Sequence, residues 1–196
     1  MPSYLLTPPA AEPVTLAQAK VAARVDDSAF DAIITAAIPA ARVICEHETG
    51  RRLVAQTWRH EFTDWPAATD LIPELRPSAV AVASWNGSTW AALDPSAYVW
   101  TPAGAGGASI ALAPAIGGSW PTLGDVAIGP RVRVDVTSGA ADATVADGVD
   151  AVLDIARLFI KALVTLVVHD PSMTVQQAFN GAGYLRHTLD PIRLYR

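Results

Sequence analysis

The segment VDAVLDIARLFIKALVTLVVHD, residues 149–170, predicts the longest helix in the chain. Asp150 and Asp154 lie near its start, and Arg157 and Lys161 lie further on, an order that suits the dipole of a helix. These four residues form one narrow polar stripe, and almost all other positions are aliphatic or aromatic. A helix that is apolar over most of its circumference should be buried nearly all round.

Two arrangements would bury this helix in a chain of 196 residues. In the first, the helix packs against the chain's own helices on one side and against another copy of the chain on the other. In the second, it is a central helix wrapped by the chain's own β region. Under the first arrangement, the candidate contacts with another subunit or a neighbouring protein are Leu158, Phe159, Leu163 and Leu166.

Two shorter helices are predicted near the N-terminus. Thr15 and Gln18 have the spacing of a capping box, in which each side chain satisfies the free backbone N–H of the other. A short helix should therefore begin there and end near residue 23. A second helix is predicted over about 27–50, since Gly50 suits the position that follows a helix C-terminus.

The second helix has one apolar and one polar side in this prediction. Pro39 lies inside it on the polar side, where it removes one backbone hydrogen bond and should kink the helix. The polar side also carries Asp31, Thr35, Arg42 and Glu46. The side expected to face the core carries Phe30, Ile33, Ile34, Ala37, Ile38, Ala41, Ile44 and Cys45.

The hydrophobic period then changes from that of a helix to that of a strand. LVAQTWRHEF, residues 53–62, and RVRVDVT, residues 131–137, both alternate along the chain, as half-buried strands do. Further strand-like runs lie between them, separated by loops rich in Gly and Pro. We therefore predict an antiparallel β region over about 53–138.

The sharpest turn signal in this region is Asn86-Gly87, which lies between Trp85 and Trp90. Asn and Gly tolerate positive φ angles better than other residues, and a type I′ turn requires positive φ at both central positions. The sequence therefore predicts a hairpin with a type I′ turn and with both tryptophans as strand residues.

The order of these elements predicts an α+β fold. It would be a small helical bundle, built from two N-terminal helices and the long C-terminal helix, with an inserted antiparallel β domain and an extended C-terminal tail. Residues 1–52 would be an N-terminal arm, extended over its first 14 residues, followed by the two helices. Residues 53–138 would be the inserted β region, 149–170 the long core helix, and 171–196 the C-terminal segment and tail.

Composition and charge exclude several classes of protein. The net charge of -5 and the absence of a basic patch argue against a free nucleic-acid binder, which needs Lys and Arg for phosphate contacts. No secretory signal precedes the first helix, and the long apolar segment carries a charge at roughly every turn, unlike a membrane span. We expect a chain made in the cytoplasm, with no membrane as a partner.

The sequence nominates no catalytic residue, no metal ligand and no cofactor site. The four histidines lack metal-binding spacing, Ser119 is not in a nucleophile elbow, and no glycine-rich phosphate loop is complete. Cys45 lies on the apolar side of the second helix, where a buried structural thiol is favoured over a nucleophile. We therefore expect that the protein is not an enzyme.

Six tryptophans fall in the β region or its loops, a large number for this length. They would pack the β core or form a protein-binding surface, where tryptophan is enriched. Trp65-Pro66 and Trp120-Pro121 lie in loops, so Trp65 and Trp120 are the better interface candidates.

The order of segments resembles one known family. The N-terminal stretch LLTPPAAEPVTLAQAKVAARVDD is followed by IITAAIPAARVICEHETGRRLVAQTW, strands with an NG turn, SWP, VRVDVTSG, a long apolar helix and a terminal LDPIRLYR. This order resembles the head–tail connector proteins, or neck adaptors, of long-tailed bacteriophages and gene transfer agents. The resemblance covers nearly the whole chain and is strongest over 5–58.

The resemblance implies a structural protein of the virion neck, in a closed ring of about twelve copies beneath the portal vertex. The ring would join the capsid and its portal protein to a stopper or tail-completion protein. Double-stranded DNA would pass through its channel during genome packaging and DNA ejection, without sequence-specific binding. Because DNA must slide through, we expect a neutral or acidic channel wall, with loop 138–150 as a candidate lining.

In this family the C-terminal segment docks on the portal. Carried onto this chain, the docking tail is Ile192, Arg193, Leu194, Tyr195 and Arg196. Aliphatic and aromatic side chains supply anchors, and the planar fork of Arg suits carboxylates at interfaces. We expect that deleting 189–196 leaves the protein folded but abolishes portal binding. The alternative is that this segment folds back on the chain's own β region as a last strand or turn.

Two other functions stay open at this point. The first is another oligomeric neck or tail-completion protein, whose ring would contact different partner proteins. The second is a ligand-binding module on the Trp-rich β region, for example for carbohydrates.

Overall fold

The computed structural model describes residues 2–74, 77–104, 107–140, 143, 148 and 150–194. Within these residues the chain forms two compact units. The helical unit takes the described residues of Pro9–Val54 and Ala140–Tyr195, and the sheet unit those of Met1–Pro8 and Ala55–Gly139. Helices and antiparallel sheets make this an α+β fold, as predicted.

The helices of the helical unit are α1 (Leu16–Ala23), α2 (Asp31–Thr49), α3 (Ala151–His169), α4 (Val175–Gly181) and α5 (Leu185–Thr188). Short 3-10 turns occupy Ser28–Phe30 and Asp190–Ile192. α3 packs against the other four helices, and its fully buried Leu153, Phe159 and Leu163 lie in the hydrophobic core that these helices share. The helix predicted from 149–170 is therefore the centre of this unit.

Side-chain caps mark the starts of α1 and α3. Thr15 Oγ1 accepts a hydrogen bond from the backbone N–H of Gln18, and Gln18 Oε1 accepts one from the backbone N–H of Thr15 at 2.9 Å. This confirms the predicted capping box. At the start of α3, the Asp150 carboxylate accepts from the backbone N–H groups of Val152 and Leu153.

α2 confirms the predicted apolar core stripe but not the predicted polar side. Ile34, Ala37, Ile38, Ala41 and Cys45 are buried, as expected. Arg42 and Glu46, which were expected on an exposed side, are only 7% and 6% exposed. Thr35 is exposed as predicted, but the solvent face also carries apolar residues, among them Val43 at 55% exposure. The helix continues through Pro39 on that outer side.

Charge pairing explains why Arg42 and Glu46 can be buried. Arg42 Nε donates to Glu12 at 2.8 Å, and Arg42 Nη1 donates to Glu46 at 3.1 Å. Glu46 also accepts the backbone N–H of Leu53 at 3.0 Å. Burial raises the pKa of the Glu46 carboxyl, while the Leu53 N–H and the Arg42 charge act in the opposite direction. Ion pairs and hydrogen bonds of this kind offset the cost of burying a charged side chain.

A second buried arginine holds the segment that precedes α1, which also contains Glu12, against α3. Arg157 is 3% exposed, and its Nε donates to the carbonyl of Pro13 at 3.0 Å. Its Nη2 donates to the carbonyl of Ala143 at 3.0 Å, and its Nη1 pairs with Asp154 at 3.3 Å. Arg157 thus belongs to the interior of the unit, although the sequence placed it on an outer polar stripe.

The sheet unit contains a five-stranded antiparallel sheet of order β1-β2-β7-β3-β4 and a two-stranded sheet of β5 and β6. The strands are β1 (Ser3–Thr7), β2 (Gln56–Phe62), β3 (Ala79–Trp85), β4 (Trp90–Ala92), β5 (Tyr98–Ala103), β6 (Ser109–Pro114) and β7 (Val132–Ser138). β7 is the central strand. The N-terminal stretch that was expected to be extended supplies the edge strand β1.

The two faces of the central strand differ as its alternation predicts. Val132, Val134 and Val136 are fully buried, and they share a hydrophobic core with Ile110 and Leu112 of β6. The other face carries cross-strand ion pairs. Arg59 and Asp135 are register partners joined by two hydrogen bonds of 2.6 and 2.7 Å, and Arg133 donates to its register partner Glu61 at 3.0 Å. Such pairs stabilise neighbouring strands and fix their register.

The predicted hairpin at Asn86-Gly87 forms, but the type I′ turn was wrong. Trp85 and Trp90 pair as strand residues, and four residues connect them. Gly87 has φ 103°, whereas in the described part of the chain Arg24 is the only non-glycine residue with positive φ. The Asn86 side chain instead accepts backbone N–H groups of Ser88 and Thr89, which closes the loop without positive φ at Asn86.

The C-terminal segment is helical, in contrast to the extended tail that the sequence suggested. It forms α4, α5 and the 3-10 turn Asp190–Ile192. Leu185, Leu189 and Ile192 are spaced by four and three residues, so they lie on one helical face. All three are at most 4% exposed and belong to the core of the helical unit. This burial explains why the segment folds back.

One close backbone approach in the sheet unit yields a prediction. The Gly124 N–H donates to the Trp85 carbonyl at 2.8 Å, and a Cβ at Gly124 would collide with the backbone of Asn86 and Gly87. Gly124→Ala should therefore lower the free energy of unfolding by about 1–3 kcal/mol, measured by urea denaturation. Gly183→Ala is the control, because nothing lies within 4 Å of its Cβ position. Equal effects of the two substitutions would contradict the predicted collision.

Candidate interaction surfaces

The described residues bring together no group that resembles an active site or a metal site. They contain no cluster of three or more His, Cys, Asp or Glu side chains able to hold a metal ion. The most suggestive polar cluster is His60, Glu74 and Ser138, all at most 1% exposed. Ser138 Oγ donates to Glu74 at 2.9 Å, not to His60, whose Nε2 lies 3.7 Å from Glu74. The cluster is enclosed in the sheet unit, so a substrate has no access to it.

Cys45 lies where the sequence placed it, in the core of the helical unit with no exposed surface. Burial, and then the nearby charge of Glu46, raise the pKa of its thiol to about 12. The thiolate is the nucleophilic form of cysteine. Cys45 is therefore a protonated, structural thiol at neutral pH.

The predicted interface residues of α3 separate into buried and exposed positions. Phe159 and Leu163 are fully buried, and the Phe159 ring packs edge-on against Phe179 with 5.8 Å between centroids. Leu166 is half-buried at the margin of the same core. Leu158 is 62% exposed, so of these four residues it is the one that offers most surface to another protein.

Trp65 and Trp120 come together although 55 positions separate them in the sequence. Their rings stack with 4.4 Å between centroids and an interplanar angle of 3°. The Trp65 Nε1–H also donates to the carbonyl of Pro121 at 2.9 Å. Both rings are half-buried against the core of the sheet unit. The stack ties two loops together, and one face of each ring is occupied by the other ring.

The predicted docking tail is only partly free. Ile192 is 4% exposed in the helical core, and its carbonyl accepts a hydrogen bond from Arg51 Nε. Arg193 pairs with Glu48 at 3.4 Å and with Asp190 at 3.1 Å. The backbone N–H of Leu194 donates to the carbonyl of Thr49 at 2.9 Å. Tyr195 and Arg196 lie outside the described residues.

Sequence reasoning missed an apolar surface of the helical unit. An open groove of about 880 Å³ runs along the outer face of α2, and none of the described residues that line it is charged. We call this surface the α2 groove. Its lining residues are Ile33, Ala36, Ala37, Pro39, Ala40, Val43, Ile44, Val167, Pro171, Met173, Thr174, Val175 and Gln176.

A signal for this groove was present in the sequence. From Ala32 to Ala41 no residue is charged, so α2 has apolar residues around nearly its whole circumference over this stretch. The prediction assigned the apolar residues to the core and the charged ones to solvent. The sequence could not show that Arg42 and Glu46 are buried as a pair, or that apolar residues of α2 face solvent.

By length and composition alone, one described helix could cross a membrane. It covers Ser28–Thr49, and a third of its most apolar window is buried inside the protein. This helix includes α2, which packs against α1, α3 and α4 in the helical unit.

Solved structures with a similar fold come from gene transfer agent particles. A chain from the neck of an empty particle, computed with C6 symmetry, superposes with a TM-score of 0.70 at 16% identity. A chain from the virion of a native particle gives 0.69 at 17% identity, and one from a native neck computed with C12 symmetry gives 0.57. Each match covers 100% of this chain and 97% of the other.

Sequence comparison adds nothing to these matches. No protein-family model matches the chain, and no curated protein matches it. At 16–17% identity the structural likeness shows the fold. It includes both units, since it covers the chain from end to end.

The state of Cys45 gives a prediction. Thiol-reactive reagents at pH 8 should label the folded protein at a small fraction of the rate for the chain unfolded in guanidinium, because the folded pKa is about 12. The pKa is raised on folding, so the neutral thiol favours the folded state fully below the unfolded pKa. That contribution is lost as the pH rises towards about 12. Equal labelling rates for the folded and unfolded chain would show that Cys45 is accessible.

Proposed function

We propose that this chain is a structural component of the neck of a phage-like particle, where it joins the head to the tail. The observation that carries this proposal is the fold match to neck chains of gene transfer agent particles, which includes both units and leaves no part of the chain unaccounted for. A shared fold alone does not fix function.

In this proposal several copies form a closed ring beneath the portal vertex, with about twelve as the expected number. Double-stranded DNA passes through the ring without sequence-specific contacts. The net charge of -5 favours this, because a strongly basic channel would hold the phosphate backbone. Most of loop 138–150, the candidate channel lining, lies outside the described residues, namely 141–142, 144–147 and 149.

The portal-docking role is proposed for the end of the tail. Ile192 and Arg193 hold the segment on the helical unit through the core and through Glu48. Leu194, Tyr195 and Arg196 follow this anchored turn and would supply the contacts with the portal protein. The stopper or tail-completion protein would bind on the other side of the ring.

The anchored tail changes the expected outcome of truncation. Deleting 189–196 removes Leu189 and Ile192 from the core, so the shortened protein should be destabilised and not merely unable to dock. Deleting only 195–196 keeps both core residues, so we expect a normal free energy of unfolding and loss of binding to portal-containing heads in co-sedimentation.

Ile192→Ala is the matched comparison for this experiment. Loss of a buried isoleucine should lower the free energy of unfolding by about 2–4 kcal/mol. Normal co-sedimentation of the 195–196 deletion with heads would rule out docking by the last two residues. If the full-length protein does not bind heads or tails and is missing from the neck in electron micrographs of particles, the proposed function itself is wrong.

A further inference from the structure

We propose that the α2 groove of one copy receives the outer face of α3 of a second copy, and that this contact joins neighbouring copies in the ring. The proposal rests on the proposed function for the ring, but the two surfaces are features of the helical unit itself. Because both belong to that unit, every copy carries one groove and one helix face that can fill it.

The α2 groove has the properties of a helix-binding surface. It is concave, open along the helix and lined without charge. Ala36 and Ala40 are one turn apart, and their small side chains let another helix approach closely. Val43 and Met173, at 55% and 43% exposure, offer larger apolar side chains for a neighbour to cover. Removing such apolar surface from water is favourable, so covering it would stabilise a complex.

The outer face of α3 has the complementary pattern. We call Ala151, Ile155, Leu158 and Ala162 the α3 stripe, since their spacings of four, three and four residues place them on one side of the helix. Leu158 lies in the middle of the stripe and is 62% exposed, and Ile155 and Ala162 are half-buried. A leucine flanked by small or half-buried apolar residues can insert between the side chains of a facing helix.

The size of this contact favours a ring over an isolated pair. α3 has 19 residues and is therefore about 28 Å long, so a contact one helix wide covers on the order of 300 Å² per partner. Stable interfaces bury about 800 Å² per partner. One such contact is too small alone. A copy that offers its groove to one neighbour and its α3 stripe to another makes two contacts, and this head-to-tail pattern gives a ring where the rotation between copies closes.

A second copy explains the groove better than a lipid surface does. A helix that lies on a membrane presents a protruding apolar face, commonly bordered by Lys and Arg. The α2 surface is instead a groove, and its lining contains neither residue. The necks that contain chains of similar fold were computed with six- and twelve-fold symmetry, so each such neck holds several symmetry-related copies of its chain.

Cysteine cross-linking tests the contact in the full-length protein. In a Cys45→Ala background, Leu158→Cys is combined in turn with Ala36→Cys, Ala40→Cys or Val43→Cys, because the register of the two helices is to be found. A disulfide requires Cα atoms within about 7 Å, so only a true contact is trapped efficiently. Mild oxidation of concentrated protein should give a ladder of dimers, trimers and higher species for at least one pair.

Two controls make the result specific. Val21→Cys with Leu158→Cys uses a residue of α1 that is 79% exposed and lies outside both surfaces, so this pair should give no ladder. A mixture of two single variants, one with the groove cysteine and one with Leu158→Cys, should stop at dimers. If no groove pair forms more cross-linked product than the Val21 pair, the proposed contact is wrong.

A charge placed on either surface gives an independent measurement. Val43→Asp and Leu158→Asp change exposed residues, so both variants should keep their free energy of unfolding. Burying a carboxylate in an apolar contact should weaken ring assembly by about 30-fold or more. Val21→Asp is the matched control and should assemble normally. Rings that form normally from Val43→Asp protein would overturn this inference and leave the proposed neck function standing, whereas absence of the wild-type protein from particle necks would overturn that function.

Discussion

The helical unit depends on two buried arginines that hold the N-terminal arm. Arg42 binds Glu12, and Arg157 binds the carbonyl of Pro13, so adjacent residues of the arm are tied to α2 and to α3. Val14, which follows them, is 1% exposed in the core. Breaking a buried ion pair by removing one partner typically costs about 3–5 kcal/mol, because the other charge is left uncompensated. Residues 12–14 are therefore a structural part of the helical unit.

This internal use of charge determines what α2 presents to solvent. Arg42 and Glu46 turn inwards to pair, and the residues of α2 that are left exposed include Ala32, Ala36 and Val43. Since no charged residue occurs from Ala32 to Ala41, the surface of α2 over this stretch carries no charge. With only 17% charged residues in the whole chain, pairs that are placed inside leave little charge for the surface. The α2 groove lies on this uncharged part of the helix surface.

Local signals predicted most elements of the fold. The capping box at Thr15, the alternation over β7 and the period of α3 each depend on neighbours within a few residues, and each was found as expected. What could not be predicted depends on residues far apart in sequence. Arg157 lies 144 positions from Pro13, and Arg193 lies 145 positions from Glu48. Periodicity assigns a charged residue to solvent unless its partner is known, so Arg42, Glu46 and Arg157 were placed on the wrong side.

The C-terminal segment shows the same limit from the opposite direction. Leu185, Leu189 and Ile192 form an apolar face that is too short to predict a helix with certainty from the sequence. The segment was therefore predicted to be an extended tail. These side chains pack into the hydrophobic core around α3, and the segment is held against the helical unit as far as Leu194. The core of the helical unit is then complete within one chain, with Phe159, Leu163 and Ile192 all buried. In the proposed ring, contacts with neighbouring copies therefore need not supply this core. A unit that is already folded could add small, repeated contacts at its outer faces, which close into a ring where the rotation between copies permits.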